Sequence, residues 1–310
     1  MKVRFLGLGL NSGDGASLND FMEHMESQNN TSSNFRNYKR FCYVKDLENE
    51  KYIAGLFVTI KDQRKFCELK NNDGKLKVKV NTLDANSNLM DFNFFIINIE
   101  NGLCLYQHYH NSCSPNQFGY FLHQKFREFQ EKLCQSEKDS KSNLTNKQEK
   151  LINKNYKKGL TWELMVRPEK IGDLLNELDT IRAFEIDFFH LKADDSEFKP
   201  LSNFVNKERR TFGFMKKTLA SVLTPTITDI ISKLNITNGR VFGKDIDGIE
   251  RIIKISENPD NFGEYEYDNI AEKLNSLDIE SFHKNWVIKE LLSKAGEYKH
   301  IFESLIKNEN

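Results

Sequence analysis

The stretch Phe92-Asn93-Phe94-Phe95-Ile96-Ile97-Asn98-Ile99-Glu100-Asn101-Gly102-Leu103-Cys104-Leu105-Tyr106-Gln107-His108 decides the fold class. Two apolar, aromatic-rich runs flank Glu100-Asn101-Gly102. Asn-Gly takes the positive φ that a tight antiparallel turn needs, so the stretch predicts a β-hairpin. Pro115 then opens a segment in which Phe118, Phe121, Leu122, Phe126, Phe129 and Leu133 recur at helical spacing. That pattern predicts an amphipathic helix lying on the sheet.

The same reading extends outward. Residues 2–10 read as a strand and 18–25 as a short helix. Residues 40–44 and 52–59 read as a hairpin around Asp46-Leu47-Glu48-Asn49-Glu50. Residues 75–80 alternate Lys with apolar side chains, as an exposed strand does. Residues 135–158 are almost free of large apolar side chains and rich in Ser, Asn, Lys and Glu, as a linker is. Beyond them come a strand at 160–166, a helix at 169–178, a strand at 180–192 and a helix at 226–234. A second hairpin pairs 239–243 with 249–255 around Lys244-Asp245-Ile246-Asp247-Gly248, and helices follow at 270–274 and 281–306. The expectation is an α+β protein with mixed, largely antiparallel sheets and packed helices. It has two domains: residues 1–135, a polar linker at 136–157, and residues 158–310 with a basic segment and a helical end.

The bulk numbers fit a folded chain of 310 residues, 38% hydrophobic and 29% charged. No run approaches the ~20 apolar residues of a membrane span. The opening Met1-Lys2-Val3-Arg4-Phe5-Leu6 is too short an apolar run for a signal peptide. Five cysteines, at 42, 67, 104, 113 and 134, have no framework spacing and read as reduced thiols. A cytoplasmic location is expected.

Net charge is zero, with 45 basic and 45 acidic residues, which argues against a wholly basic nucleic-acid coat. The charge is nevertheless uneven. Residues 199–217 hold six bases against Glu208, net +5, whereas residues 245–310 hold fifteen acids against eight bases, net −7. Within Lys207-Glu208-Arg209-Arg210-Thr211-Phe212-Gly213-Phe214-Met215-Lys216-Lys217, cations interleave with Thr and aromatics. Arg and Lys neutralise phosphates and release counterions, which favours sequence-independent binding. A weaker cluster, Lys150, Lys154, Lys157 and Lys158, ends the linker. The competing reading is a solvated loop and helix start paired with the acidic tail.

Other chemistry is weaker. Gly7-Leu8-Gly9-Leu10 has Ser12 where a dinucleotide fingerprint needs its third glycine, so these read as ordinary loop glycines. Cys104, His108, His110 and Cys113 carry zinc-ligating side chains at a spacing that matches no standard module. Glu185 and Asp187, ahead of Lys192, suggest a metal-dependent nuclease, but no acid stands just before the lysine. No Gly-x-Ser-x-Gly is present. No catalytic residue, cofactor or metal is assigned.

The order of these pieces resembles the RexA family of phage-exclusion proteins. The resemblance is carried by the hairpin at 41–59, the 92–108 hairpin with its Phe-rich helix, and the basic segment. Its nearest part is Asp229-Ile230-Ile231, Gly239-Arg240-Val241-Phe242-Gly243-Lys244-Asp245 and Glu257-Asn258-Pro259. The resemblance implies a two-domain protein that homodimerises and binds double-stranded DNA without sequence preference. It implies abortive infection beside a small membrane protein of the RexB type. The expected phosphate contacts are Lys207, Arg209, Arg210, Lys216 and Lys217, with Lys157 and Lys158. The alternatives are a metal-dependent nuclease effector using Asp187, Glu185 or the Cys/His group, and an adaptor that binds a phage protein through the acidic C-terminal helices.

Overall fold

Strand β1 (Lys2–Asn11) is the axis of the described sheet, because three other strands pair with it directly. Along one edge it pairs antiparallel with β8 (Leu103–Tyr109). Its other edge is shared. β14 (Glu264–Glu266) takes Lys2–Arg4, and β9 (Thr161–Val166) takes Leu8–Asn11. The computed structural model describes residues 1–35, 38–47, 51–72, 75–141, 144–166, 171–188, 208–215, 218–234, 236, 238–255, 261–275 and 277–303.

From β8 the sheet continues through β7 (Leu89–Asn98), β4 (Tyr52–Lys61), β3 (Tyr38–Asp46) and β2 (Ser33–Phe35), all antiparallel. From β9 it continues through β13 (Glu250–Ile255), β12 (Gly239–Lys244) and β10 (Thr180–Phe188) to the outer strand β11 (Glu208–Gly213). Among the described strands only the β13–β9 pair is parallel. A separate two-stranded ribbon joins β5 (Lys65–Asn72) to β6 (Lys75–Thr82). The α+β class expected from the sequence is therefore what the chain adopts, with one large mixed sheet and one small one.

Helices cover this sheet unequally. On one face, α1 (Leu18–Ser27) and α2 (Pro115–Asp139) bury Phe21, Phe118, Phe121, Leu122 and Phe126 against Phe57, Phe95, Cys104 and Tyr106. On the other face, α6 (Tyr267–Lys273), a 3-10 turn at 279–284, α7 (Trp286–Glu297) and α8 (Lys299–Phe302) bury Ile270, Phe282, Ile288, Leu291 and Phe302. Their partners are Val3, Phe5, Leu56, Phe94 and Leu105. The C-terminal strands have a third core, formed with α4 (Ile171–Leu175) and α5 (Ala220–Lys233). Register fixes its side. Leu164 packs on the α1/α2 core and is the partner of Ile253, which belongs to the α4/α5 core. All four helices therefore share one face. The opposite face of β10, β12 and β13 presents Glu185, Asp187, Arg240, Phe242, Ile252 and Lys254, which belong to none of the helix cores.

Several elements differ from expectation. The segment expected as a linker, 136–157, holds the end of α2 and a further helix, α3 (Asn146–Asn155), closed by a Thr145–Gln148 capping box. The sheet runs across it through the β1–β9 pair. The expected single helix at 281–306 is broken twice. Asn285 is extended and caps Val287, and Tyr298 interrupts the last turns. Strand β5 lacks the clean alternation of β6 and was not expected. α5 starts six residues earlier than the sequence suggested and carries Pro225 within it.

Candidate nucleic-acid interface

Of the basic segment, residues 208–213 form a strand, where the sequence suggested a loop. β11 pairs antiparallel with β10, placing Arg209 opposite Asp187, Arg210 opposite Ile186 and Thr211 opposite Glu185. Cross-strand partners share a face, so the two arginines point to opposite sides of the sheet. Arg209 stands on the face where no helix packs among the described residues, and its side chain is 43% exposed. Its Nε donates to Asp187 Oδ1 at 2.7 Å and its Nη2 to Oδ2 at 3.3 Å, a two-pronged ion pair. Arg210 lies on the helix side and pairs with Glu208, two residues before it. The segment's one acid, Glu208, and Asp187 of the neighbouring strand thus each pair with one of these arginines. Among the described residues, Glu264 and Glu266 of the acidic C-terminal stretch pair with Lys2 and Arg4 of β1, and Glu266 also with the N-terminus. Lys207, Lys216 and Lys217 lie outside the described residues.

Lys157 and Lys158 follow α3 and are anchored through their backbones. Arg127 donates to the carbonyls of Tyr156 (3.0 Å) and Lys157 (3.2 Å), and Gln130 to that of Lys158 (2.8 Å). The side chain of Lys158 is 78% exposed, with Asp14 Oδ1 at 3.8 Å. Gly13 explains this contact. A Cβ there would sit 1.8 Å from the Lys158 carbonyl oxygen, so only glycine admits the approach. Gly7 and Gly9, expected as loop glycines, lie inside strand β1.

The two basic groups do not form one cluster. The register β9–β13–β12–β10–β11 places the start of β9, just after Lys158, at the sheet end that also holds Lys244, Thr180 and Gly213. Arg209 and Arg210 stand toward the opposite end of β11. Four strand spacings, about 19 Å, separate the outer strands of this group.

Sequence reasoning missed Arg240, which shares a face with Glu185 and Lys254. Its Nε lies 2.9 Å from Oε1 of the buried Glu163. Lys254 is its register partner on β13. The alternation Arg240, Phe242, Lys244 carried the signal, but it named no face without the neighbouring strands.

The carboxylates of the nuclease alternative, Glu185 and Asp187, do share this face. Each, however, faces an arginine across the sheet: Arg240 beside Glu185 and Arg209 beside Asp187. The Cys/His group is dispersed. Cys104 points into the α1/α2 core, the strand ends at Tyr109, and Asn111 turns the chain at φ 70°. Burial pushes the Cys104 thiol up, and pushes that of Cys113 up to about 11, which disfavours the thiolate that zinc requires. No group of three or more His, Cys, Asp or Glu suited to a metal occurs among the described residues. No protein-family model matches the chain, and no curated protein sequence does.

Proposed function

We propose that this protein binds duplex DNA without sequence preference and acts in phage exclusion, without a reaction of its own. The observation that supports it best is the outer strand β11, which carries an arginine on each face and is flanked in sequence by Lys207, Lys216 and Lys217. A DNA backbone crossing such an edge meets cations from both sides. The acids already present hold the guanidiniums in place, and phosphate competes for them. The resemblance to RexA-type proteins supplies the remaining parts of the reading: a cytoplasmic homodimer working beside a small membrane protein.

The test is fluorescence anisotropy on duplexes of unrelated sequence across a salt series. The double variant Arg209→Glu/Arg210→Glu is expected to weaken binding at least ~10-fold. The slope of log affinity against log salt is expected to shallow by about 0.9 for each lost phosphate contact. Unchanged affinity rejects the site. Asp187→Asn separates this reading from the nuclease alternative. Freeing Arg209 is expected to tighten DNA binding a few-fold. A nuclease built on Asp187 would instead show plasmid nicking with Mg²⁺, Mn²⁺ or Zn²⁺ in the wild type and lose it in this variant.

A further inference from the structure

The β5–β6 ribbon stands apart from the large sheet, between β4 and β7 in the chain. Its root is clasped. Arg64 Nη1 donates to the carbonyls of Ala85 (2.8 Å) and Ser87 (3.2 Å), and Leu83 N–H donates to the Arg64 carbonyl. Beyond that root its two faces have different chemistry. Register puts Cys67 opposite Val80, Leu69 opposite Val78 and Asn71 opposite Leu76. Leu69, Leu76, Val78 and Val80 are 66%, 66%, 68% and 57% exposed. The other face sets Glu68 opposite Lys79 and Lys70 directly opposite Lys77. The stretch from Lys65 to Thr82 holds five lysines against Glu68 and Asp73, a net charge of +3 in a chain whose total is zero.

The apolar face opposes the stability of an isolated ribbon, and the basic face does so at the Lys70–Lys77 pair, although Glu68 lies 3.8 Å from Lys70 Nζ. An uncovered two-stranded hairpin is marginal in water, and like charges directly across a strand pair repel. A partner that relieves both must be apolar and anionic together. A DNA backbone answers only the lysines. A second copy packed face to face answers only the apolar side chains. Eight-residue strands make a face of about 26 by 10 Å, so two such faces bury roughly 500 Å², well under the ~1,000 Å² of a stable interface. An anionic bilayer takes the apolar side chains below its headgroups while the lysines reach the anionic phosphates around them.

We propose that the β5–β6 ribbon is a docking arm for an anionic lipid surface. Leu69, Leu76, Val78 and Val80 insert at the interface, and Lys70, Lys77 and Lys79 hold the headgroups. The arm is separate from the β11 edge and stands whether or not that edge binds DNA.

The test is co-sedimentation of the full chain with vesicles of phosphatidylcholine alone and of phosphatidylcholine mixed with phosphatidylglycerol. Binding is expected only to the mixed vesicles and is expected to fall with salt. Leu69→Ser/Val78→Ser and Lys77→Gln/Lys79→Gln are each expected to lower partitioning at least ~10-fold, because each Lys near an anionic surface contributes about fivefold. These side chains are solvent-facing, so thermal melts of both variants should match the wild type. Arg209→Glu/Arg210→Glu should leave vesicle binding unchanged. No binding to the mixed vesicles overturns the proposal, as does binding that survives both ribbon variants. It is also overturned if wild type ignores vesicles and Leu69→Ser/Val78→Ser turns a dimer into a monomer, or if Lys77→Gln/Lys79→Gln weakens only DNA binding.

Discussion

His108 shows how burial and neighbouring charge set one residue's chemistry. It is half-buried at the end of β8, opposite Arg4 across the β1–β8 pair. Burial first, then His110 and Arg4, hold its pKa below the ordinary 6.5. The unfolded chain therefore takes up a proton at this position before the folded one does. Stability is lost as pH falls below about 6.5 and is regained above it. His24 and His283 shift the same way, so three of the described histidines contribute to the slope. In urea titrations between pH 5 and 7.5, His108→Gln is expected to flatten the pH dependence of the midpoint without abolishing it. An unchanged slope would show that His108 is not one of the sources. At this scale His108 was legible only as a residue type. Its neighbours come from register, which local sequence does not encode. The same holds for Arg209: its charge was plain, but its partner, Asp187, lies 22 positions earlier in the chain.

Among elements, the outer edge of β3 is closed by a side chain. Asn29, just past α1, donates from Nδ2 to the Val44 carbonyl and accepts the Val44 N–H at Oδ1, both at 2.9 Å. An amide side chain thereby stands in for the next strand of the ladder, and such edges otherwise invite association. Asn29→Ala leaves a part-buried N–H and C=O without these partners and is expected to cost about 1–3 kcal/mol. The check is a chemical denaturation midpoint. A shift of under about 0.5 kcal/mol would mean that water replaces the amide fully. Element type was largely readable where a local signal was strong. Asn101-Gly102 marked the β7–β8 turn, and Gly102 has φ 73°. Pro115 opened α2 behind the Ser114 cap. Elements failed where the signal was weak or delayed. The apolar period of 281–306 runs past the Asn285 cap that breaks it. Glu208–Gly213 is a strand because β10 offers a ladder, against a composition that reads as loop.

On the scale of the whole molecule, the C-terminal helices belong to the N-terminal strands. Residues from Phe262 to Phe302 bury the face formed by Val3, Phe5, Leu56, Phe94, Ile96 and Leu105. Asn98 and Asn101 both donate to the carbonyl of Phe302, more than 200 positions away. A fragment ending at residue 135 would expose that apolar face, far beyond the patch a soluble monomer carries. It is expected to aggregate or to melt without cooperativity, whereas the full chain unfolds in a cooperative transition. A well-dispersed amide NMR spectrum from the fragment would refute this. No described helix is long and apolar enough to cross a membrane.

The sequence by itself determined the class of the fold, because periods of 2 and 3.6 and turn chemistry act over a few residues. It also determined where cations crowd, at 199–217, and it displayed the alternation of Lys75 to Val80 that makes one face of the ribbon basic. The tertiary structure decided which strand neighbours which. It put α1, α2, α4 and α5 on one face, left the face of Glu185, Asp187, Arg209 and Arg240 without a helix core, and gave Arg209 its carboxylate. The physical reason is that these contacts join residues tens to hundreds of positions apart. Their energies depend on burial and cross-strand register, and neither exists until the chain has closed on itself.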